Sequence, residues 1–233
     1  EISSNVADGT TNVNVGGVCG KSGMLTAGCH AEWTESAHVK IASDRSNFGG
    51  VTGLTQAESN YAFLVGCYAL CKGRVEIEPK NGTDYTANAG GIAGTLANST
   101  IAGCTVKAKN IYGHNASSPS LIGVSGIAAY VVGVSSVSDC KAYATLIRNS
   151  TVLGTEDASV TPDNLFGMGM IVGIDAGTTT VTNCGVGGSF YLGASEKPQE
   201  LILTLDADSY AKGIIGSGKT ATVGGCYYWN GEE

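Results

Sequence analysis

Proline occurs only 4 times in this chain of 233 residues, aromatic residues make up 7% and charged residues 14%. Cations are the scarcer charge: 13 Lys and Arg stand against 20 Asp and Glu, a net charge of −7. That deficit, with no evident basic patch, argues against nucleic acid as a partner and against anionic membrane surfaces. No apolar run reaches the ~18–20 residues needed to span a bilayer, so no direct membrane insertion of this chain is expected. There is no CxxC pair and no tight Cys/His cluster, so neither a metal site nor a cofactor is expected. What the chain has in excess is glycine, 35 residues. Glycine at this level can signal disorder, but 42% hydrophobic content and the ordered columns described next argue for a folded chain.

Six of the eight cysteines recur at one place in a repeating unit. Cys29, Cys67, Cys104, Cys140, Cys184 and Cys226 are spaced 38, 37, 36, 44 and 42 residues apart. Upstream of each lies a variant of one phrase: GGVCG, GGVTG, GGIAG, SGIAA, GMIVG, KGIIG. The third residue of the phrase is Val18, Val51, Ile92, Ile127, Ile171 or Ile214, all β-branched and strand-favouring. Two residues on stand Gly20, Gly53, Gly94, Ala129, Gly173 and Gly216, a column without large side chains, as a close backbone approach would require. Three residues before the cysteine come Thr26, Leu64, Ile101, Val137, Val181 and Val223. Just before it stand Gly28, Gly66, Gly103, Asp139, Asn183 and Gly225. These are the residue types that tolerate a left-handed backbone, so a corner with positive φ is predicted there.

After the corner, apolar and polar residues alternate with period two. Cys67, Ala69 and Cys71 share one face, as do Cys104, Val106 and Ala108; His30, Glu32, Thr105, Lys107, Lys141 and Tyr143 occupy the other. A looser β-rich stretch follows in several units: HVKIAS, RVEIEP, YATLIRN, ELILTLD. Like residues at like places stack best in an all-β, right-handed parallel β-helix, a solenoid with three strands per coil and about six coils. A β-propeller has a similar period, but its blades need four antiparallel strands each. One elongated domain over residues 1–233 is expected, with repeats from about 15 to 229. Neighbouring cysteines one coil apart would hold their Cβ atoms ~4.8 Å apart, wider than the ~3.5–4.5 Å of a disulfide, which favours free thiols.

The phrases GGIAGTLANSTIAGCTV (residues 90–106) and MIVGIDAGTTTVTNCGV (residues 170–186) resemble the GLUG-type repeats of bacterial surface proteins, and the ending GGCYYWNG resembles the close of such an array. Ser125 and Ala129 depart from the pattern in the fourth unit. The resemblance implies an adhesin-like β-solenoid, secreted or on the outer cell surface, with its signal or anchor segment outside this chain. It implies no catalytic residues.

The expected function is therefore non-enzymatic: presentation of loops, roughly 34–47, 72–88, 109–121, 145–165 and 190–211, for adhesion or for contact with host or bacterial glycans or surface proteins. The alternatives are a polysaccharide lyase or hydrolase on a β-helix scaffold, and a structural spacer of a larger surface protein. An enzyme of that kind needs paired carboxylates, with a base or a bound Ca²⁺, on one exposed strand face. The outward columns contain no such pair. Asp206 and Asp208 resemble the start of a calcium loop whose glycine and later glutamate are missing. Glu156 and Asp157 read as a solvated loop. His30, His38 and His114 have no partner at ligand spacing, and His30 belongs on the wet face of its strand. TQAES, from Thr55, could form one helical turn but reads better as a decorated corner. Tyr227, Tyr228 and Trp229 are expected to cap the last coil, with a sugar-stacking platform as the second reading.

Overall fold

The computed structural model describes residues 2–6, 12–43, 45–57, 61–78, 86–115, 121–150, 167–192, 199–201, 213–217 and 221–232. Among them there is no helix, and the strands form four sheets. In each turn the chain visits three short sheets and then one long sheet. The first short sheet contains Asn12–Gly16, Arg45–Gly49, Thr86–Gly90, Leu121–Ser125 and Met168–Gly169. The second runs from Cys19–Ser22 through Thr52–Gln56, Ala93–Ala97, Ala128–Val132 and Val172–Asp175 to Ile215–Ser217. The third runs from Leu25–Ala27 through Ala62–Val65, Ser99–Ala102, Val134–Ser138 and Thr178–Thr182 to Thr222–Gly224. The long sheet is built on Tyr68–Glu78, Thr105–Asn115, Lys141–Ser150 and Gly185–Leu192. Pairing between turns is parallel throughout; the antiparallel pair is Gln199–Leu201 on Gly185–Leu192.

The protein is thus an all-β parallel β-solenoid, with two corrections to the expectation. There are four sheets rather than three strands per coil. The cysteine strand and the looser stretch after it are one continuous strand of 11 residues in Tyr68–Glu78 and in Thr105–Asn115. A register shift between Cys71 and Arg74, and another between Ala108 and Ile111, break the period-two pattern there. That break made one strand read as two. Much of the expected loop surface, at 72–78, 109–115 and 145–150, is accordingly strand; the parts at 79–85, 116–120, 151–165 and 202–211 lie outside the described residues.

The second correction concerns the number of coils. About three turns are complete, those starting at Arg45, Thr86 and Leu121: each has a strand in all four sheets, flanked on both sides. The turn before them splits its long-sheet strand into His30–Trp33 and His38–Ser43, and the turn after them gives the first short sheet only the two residues Met168–Gly169. A repeated phrase marks partial turns as readily as full ones, so counting cysteines overstated the height. Thr55 lies in the strand Thr52–Gln56, not in a helical turn.

The stacking itself follows the columns. Ile101 pairs in register with Leu64 and with Val137, and Val137 pairs with Val181. Val51, Ile92, Ile127 and Ile171 are wholly buried, whereas Val18, on the outermost turn, is 45% exposed. Burying each such side chain contributes about 1.5–3 kcal/mol. A Cβ on Gly94 would lie 2.6 Å from the Gly53 carbonyl oxygen and 2.7 Å from the Phe48 nitrogen, so the small-residue column marks the close approach it implied. One column went unread: the Asn47 amide donates to Asn14 Oδ1 (2.9 Å), and the Asn88 amide to Asn47 Oδ1 (3.0 Å). The ladder stops at Gly123, the in-register neighbour of Asn88, which leaves Asn88 Oδ1 buried without a partner.

The corner before each cysteine is left-handed in all six units: φ is 60° at Gly28 and Gly66, 61° at Gly103, 54° at Asp139, 55° at Asn183 and 67° at Gly225. At Gly103 the nearest atom to an added Cβ is the Gly66 nitrogen, 3.9 Å away, so a side chain there meets only backbone strain. Gly103→Val should therefore cost about 1–2 kcal/mol, read as a lower urea midpoint with an unchanged slope. An unchanged midpoint would refute the conformational role of the corner.

Candidate functional site

The cysteine column is interior structure. Cys67, Cys104, Cys140 and Cys184 are buried, Cys29 and Cys226 are half-buried at the two ends, and all eight cysteines are free. The left-handed corner turns the cysteine N–H away from the regular ladder. Sulfur from the next turn receives it: Cys67 N–H donates to Cys104 Sγ and Cys104 N–H to Cys140 Sγ, both at 3.4 Å. Each thiol in turn donates to the carbonyl two residues back, as in Cys140 to Ser138 (3.1 Å) and Cys184 to Thr182 (3.3 Å). Burial pushes the Cys67 thiol up to about 11 and the Cys71 thiol up to about 12. The Cys67 and Cys71 thiols are therefore poor nucleophiles, because the thiolate is the reactive form.

Charged and aromatic side chains gather on the outward face of the long sheet. Two groups stand there. The first lies beyond the register shift, where His38, Arg74 and Asn110 are in register, as are Lys40, Glu76 and Tyr112. Glu76 is only 8% exposed. His38 Nε2 lies 3.1 Å from Glu76 Oε2, Arg74 forms an ion pair with Oε1, and His114 Nε2 lies 3.8 Å from that same oxygen. Arg74 packs on the Tyr112 ring at 4.4 Å, and Tyr112 stacks on His114 at 5.9 Å. Burial alone would raise the Glu76 carboxyl. The His38 hydrogen bond and the charges of Arg74 and His114 outweigh it and hold the carboxyl below its ordinary value. Burial lowers His114, whose Nε2 is buried without a hydrogen-bond partner.

The second group lies where the outward columns lose their side chains, at Gly185 and Gly187. The C-terminal aromatics fill the slot. A Cβ on Gly185 would lie 2.9 Å from the Tyr227 ring, and one on Gly187 would lie 3.0 Å from the Tyr143 ring. Trp229 is 7% exposed and meets Tyr143 edge to face at 6.4 Å. Lys107 Nζ and Lys141 Nζ lie 5.7 and 5.5 Å from the centre of the Trp229 ring. Trp229 therefore covers the outside of the long sheet, while Tyr228, in register with the inward residue Val186, is 64% exposed at the last turn.

Of the residues singled out in the sequence, His30 stands exposed on the wet face, with its ring edge-on to Tyr68 at 4.9 Å. His38 and His114 do acquire a common partner, Glu76. The spacing of one repeat held the signal: aligning HVKIAS, RVEIEP and NIYGHN on Val39, Val75 and Ile111 brings the group together. Asp206, Asp208, Glu156 and Asp157 lie outside the described residues. Among the described residues, no group of three or more His, Cys, Asp or Glu is placed to hold a metal ion. Comparison with family models, curated proteins and solved structures returned no match. The likeness to GLUG-type repeats rests on the sequence phrases that carry it.

Two outcomes follow. In the native state Cys19, Cys29 and Cys226 should react with a thiol reagent such as DTNB, and Cys67, Cys71, Cys104, Cys140 and Cys184 only after denaturation; fast reaction of all eight would contradict the buried column. Because the folded value of Glu76 is depressed, its contribution to stability is present above about pH 4.5 and lost as pH falls through the folded value. Urea melts of Glu76→Gln should show lower stability than the wild type at pH 7 and a gap that narrows as the pH falls below about 4.5. A gap that does not narrow in acid would assign Glu76 another role.

Proposed function

We propose that this chain is a non-enzymatic binding scaffold of a secreted or outer-surface bacterial protein, and that it holds glycans on the outward face of its long sheet. The observation that supports this reading is how that face disposes of its carboxylates. Glu32 is bridged to Lys72 (2.8 Å), Glu35 approaches Lys109 (3.7 Å), and Glu76 is taken up by Arg74 and His38. Each of these three is held by a basic side chain rather than left free as the acid or base that cleavage of a glycoside requires; Glu78, two residues beyond Glu76 on the same face, acts on His114 through its charge. Beside them Tyr143 and Tyr227 present ring surface, 38% and 45% exposed, on a rigid parallel wall. Aromatic rings on a preformed surface bind at low entropic cost, and flat sugar faces suit them. Winding is taken as right-handed, the hand favoured by parallel crossovers. The resemblance to surface repeats points the same way.

One observation favours polysaccharide cleavage as a second reading: the His38–Glu76 pair, in which a buried carboxylate orients a partly exposed imidazole able to move a proton. A glycan and matrix-protein array, run with lyase and hydrolase assays on the same polysaccharides, separates the two. The expected result is retention of one or more glycans without chain cleavage. Release of unsaturated or reducing ends from any polymer would replace the scaffold reading, and an array with no glycan bound would remove it.

A further inference from the structure

The acidic balance of the whole chain hides a local reversal. The strands Thr105–Asn115, Lys141–Ser150 and Gly185–Leu192 are neighbours in the long sheet and contain Lys107, Lys109, Lys141 and Arg148 without one Asp or Glu. In a chain of net charge −7 this is the opposite of the average. Lys109 meets Glu35 at the exposed margin. Lys107 and Lys141 pair with no acid among the described residues. Both ammonium groups are instead held over one buried indole, that of Trp229, at 5.7 and 5.5 Å. Cation–π contact fixes their position without neutralising their charge. Two half-buried, oriented and unneutralised cations beside an exposed tyrosine form a built feature rather than a solvated fringe.

We propose that this strip, from Lys107 and Lys141 across Tyr143 to Tyr227, is a track for a linear anionic polysaccharide carrying carboxylates or sulfates. The inference rests on the glycan-binding reading above and narrows it to a charge class and a location. Charge complementarity selects an anion, because the three strands contribute only cations and Lys107 and Lys141 form no ion pair among the described residues. The surrounding negative field selects a sparsely charged one. Double-stranded nucleic acid carries a charge every ~1.7 Å along its axis and would be repelled wherever it left the strip, whereas a glycan with one or two charges per disaccharide can place its anions on the lysines and its neutral rings on the tyrosines.

The test uses the intact chain in titration calorimetry with four probes: chondroitin sulfate, polygalacturonate, neutral dextran and a single-stranded oligonucleotide. Lys107→Gln combined with Lys141→Gln keeps the side-chain stems and should leave the melting temperature unchanged. The proposal expects one of the two anionic polysaccharides to bind, added salt to weaken it, and the double variant to lose roughly tenfold in affinity, ~1.4 kcal/mol. Binding of polygalacturonate would show that carboxylates suffice; binding of chondroitin sulfate alone, which carries carboxylates beside its sulfates, would show that the carboxylates of polygalacturonate do not. Lys21→Gln, an exposed lysine on the second short sheet, is the charge control and should stay within about twofold of wild type. An equal loss in Lys21→Gln would mean attraction to net charge alone and overturn the track. So would dextran or the oligonucleotide binding as tightly as the anionic glycans. Glycan binding untouched by the double variant would overturn the track and leave the scaffold reading standing; binding of no glycan, here or on the array, would overturn both.

Discussion

The left-handed corner before each cysteine is the constraint from which the rest of the solenoid follows. A single residue with φ between 54° and 67° turns the chain from the third short sheet into the long one. The turn costs little where glycine supplies it and is tolerable with Asn or Asp. It also removes one N–H from the regular ladder. A buried donor without a partner costs ~1–3 kcal/mol, and the sulfur of the next turn accepts it. Cysteine suits the place because it is small and apolar enough for the interior, yet its sulfur both accepts and donates weakly. The cysteine column is thus a hydrogen-bonding device, with no redox or metal chemistry needed to account for it.

Much of this arrangement was legible in the sequence, and the reasons differ from element to element. The corner was readable because only Gly, Asn and Asp occupy it, and the close approach at Gly53 and Gly94 because the column never admits a large side chain. In-register stacking was readable because parallel coils place like beside like. The division into four sheets was not. Its signal is period two, and the shifts at Cys71/Arg74 and Ala108/Ile111 interrupt that period within a strand. The number of complete turns was hidden as well, since the phrase around Ile214 looks like its predecessors although its turn is partial.

The outward face was harder still. Glu76 gathers His38 from the turn before and His114 from the turn after, and no local motif joins residues so far apart. Only alignment on the buried Val39, Val75 and Ile111 reveals the group. The cationic strip escaped for another reason: whole-chain charge averages over every wall of the prism, while a ligand meets one. The glycines at 185 and 187 open the outward columns; the Tyr227 ring, the Tyr143 ring and the Trp229 backbone occupy the space, and the Trp229 indole holds Lys107 and Lys141.

The unequal spacing of the cysteines has a geometric source. Each long-sheet strand ends, and the next strand of the first short sheet begins, at one and the same edge of the prism: after Ser43 and before Arg45, after Glu78 and before Thr86, after Asn115 and before Leu121, after Ser150 and before Met168. Much of the length change from turn to turn falls at that seam; a second variable edge is the corner between the second and third short sheets, where five residues separate Gln56 from Ala62 and one separates Ala97 from Ser99. Residues can be gained or lost there without shifting any wall by a single position. The molecule behaves like a bound book whose pages keep their lines level while the binding takes up the slack, so diversity accumulates at the edges and the walls themselves stay uniform.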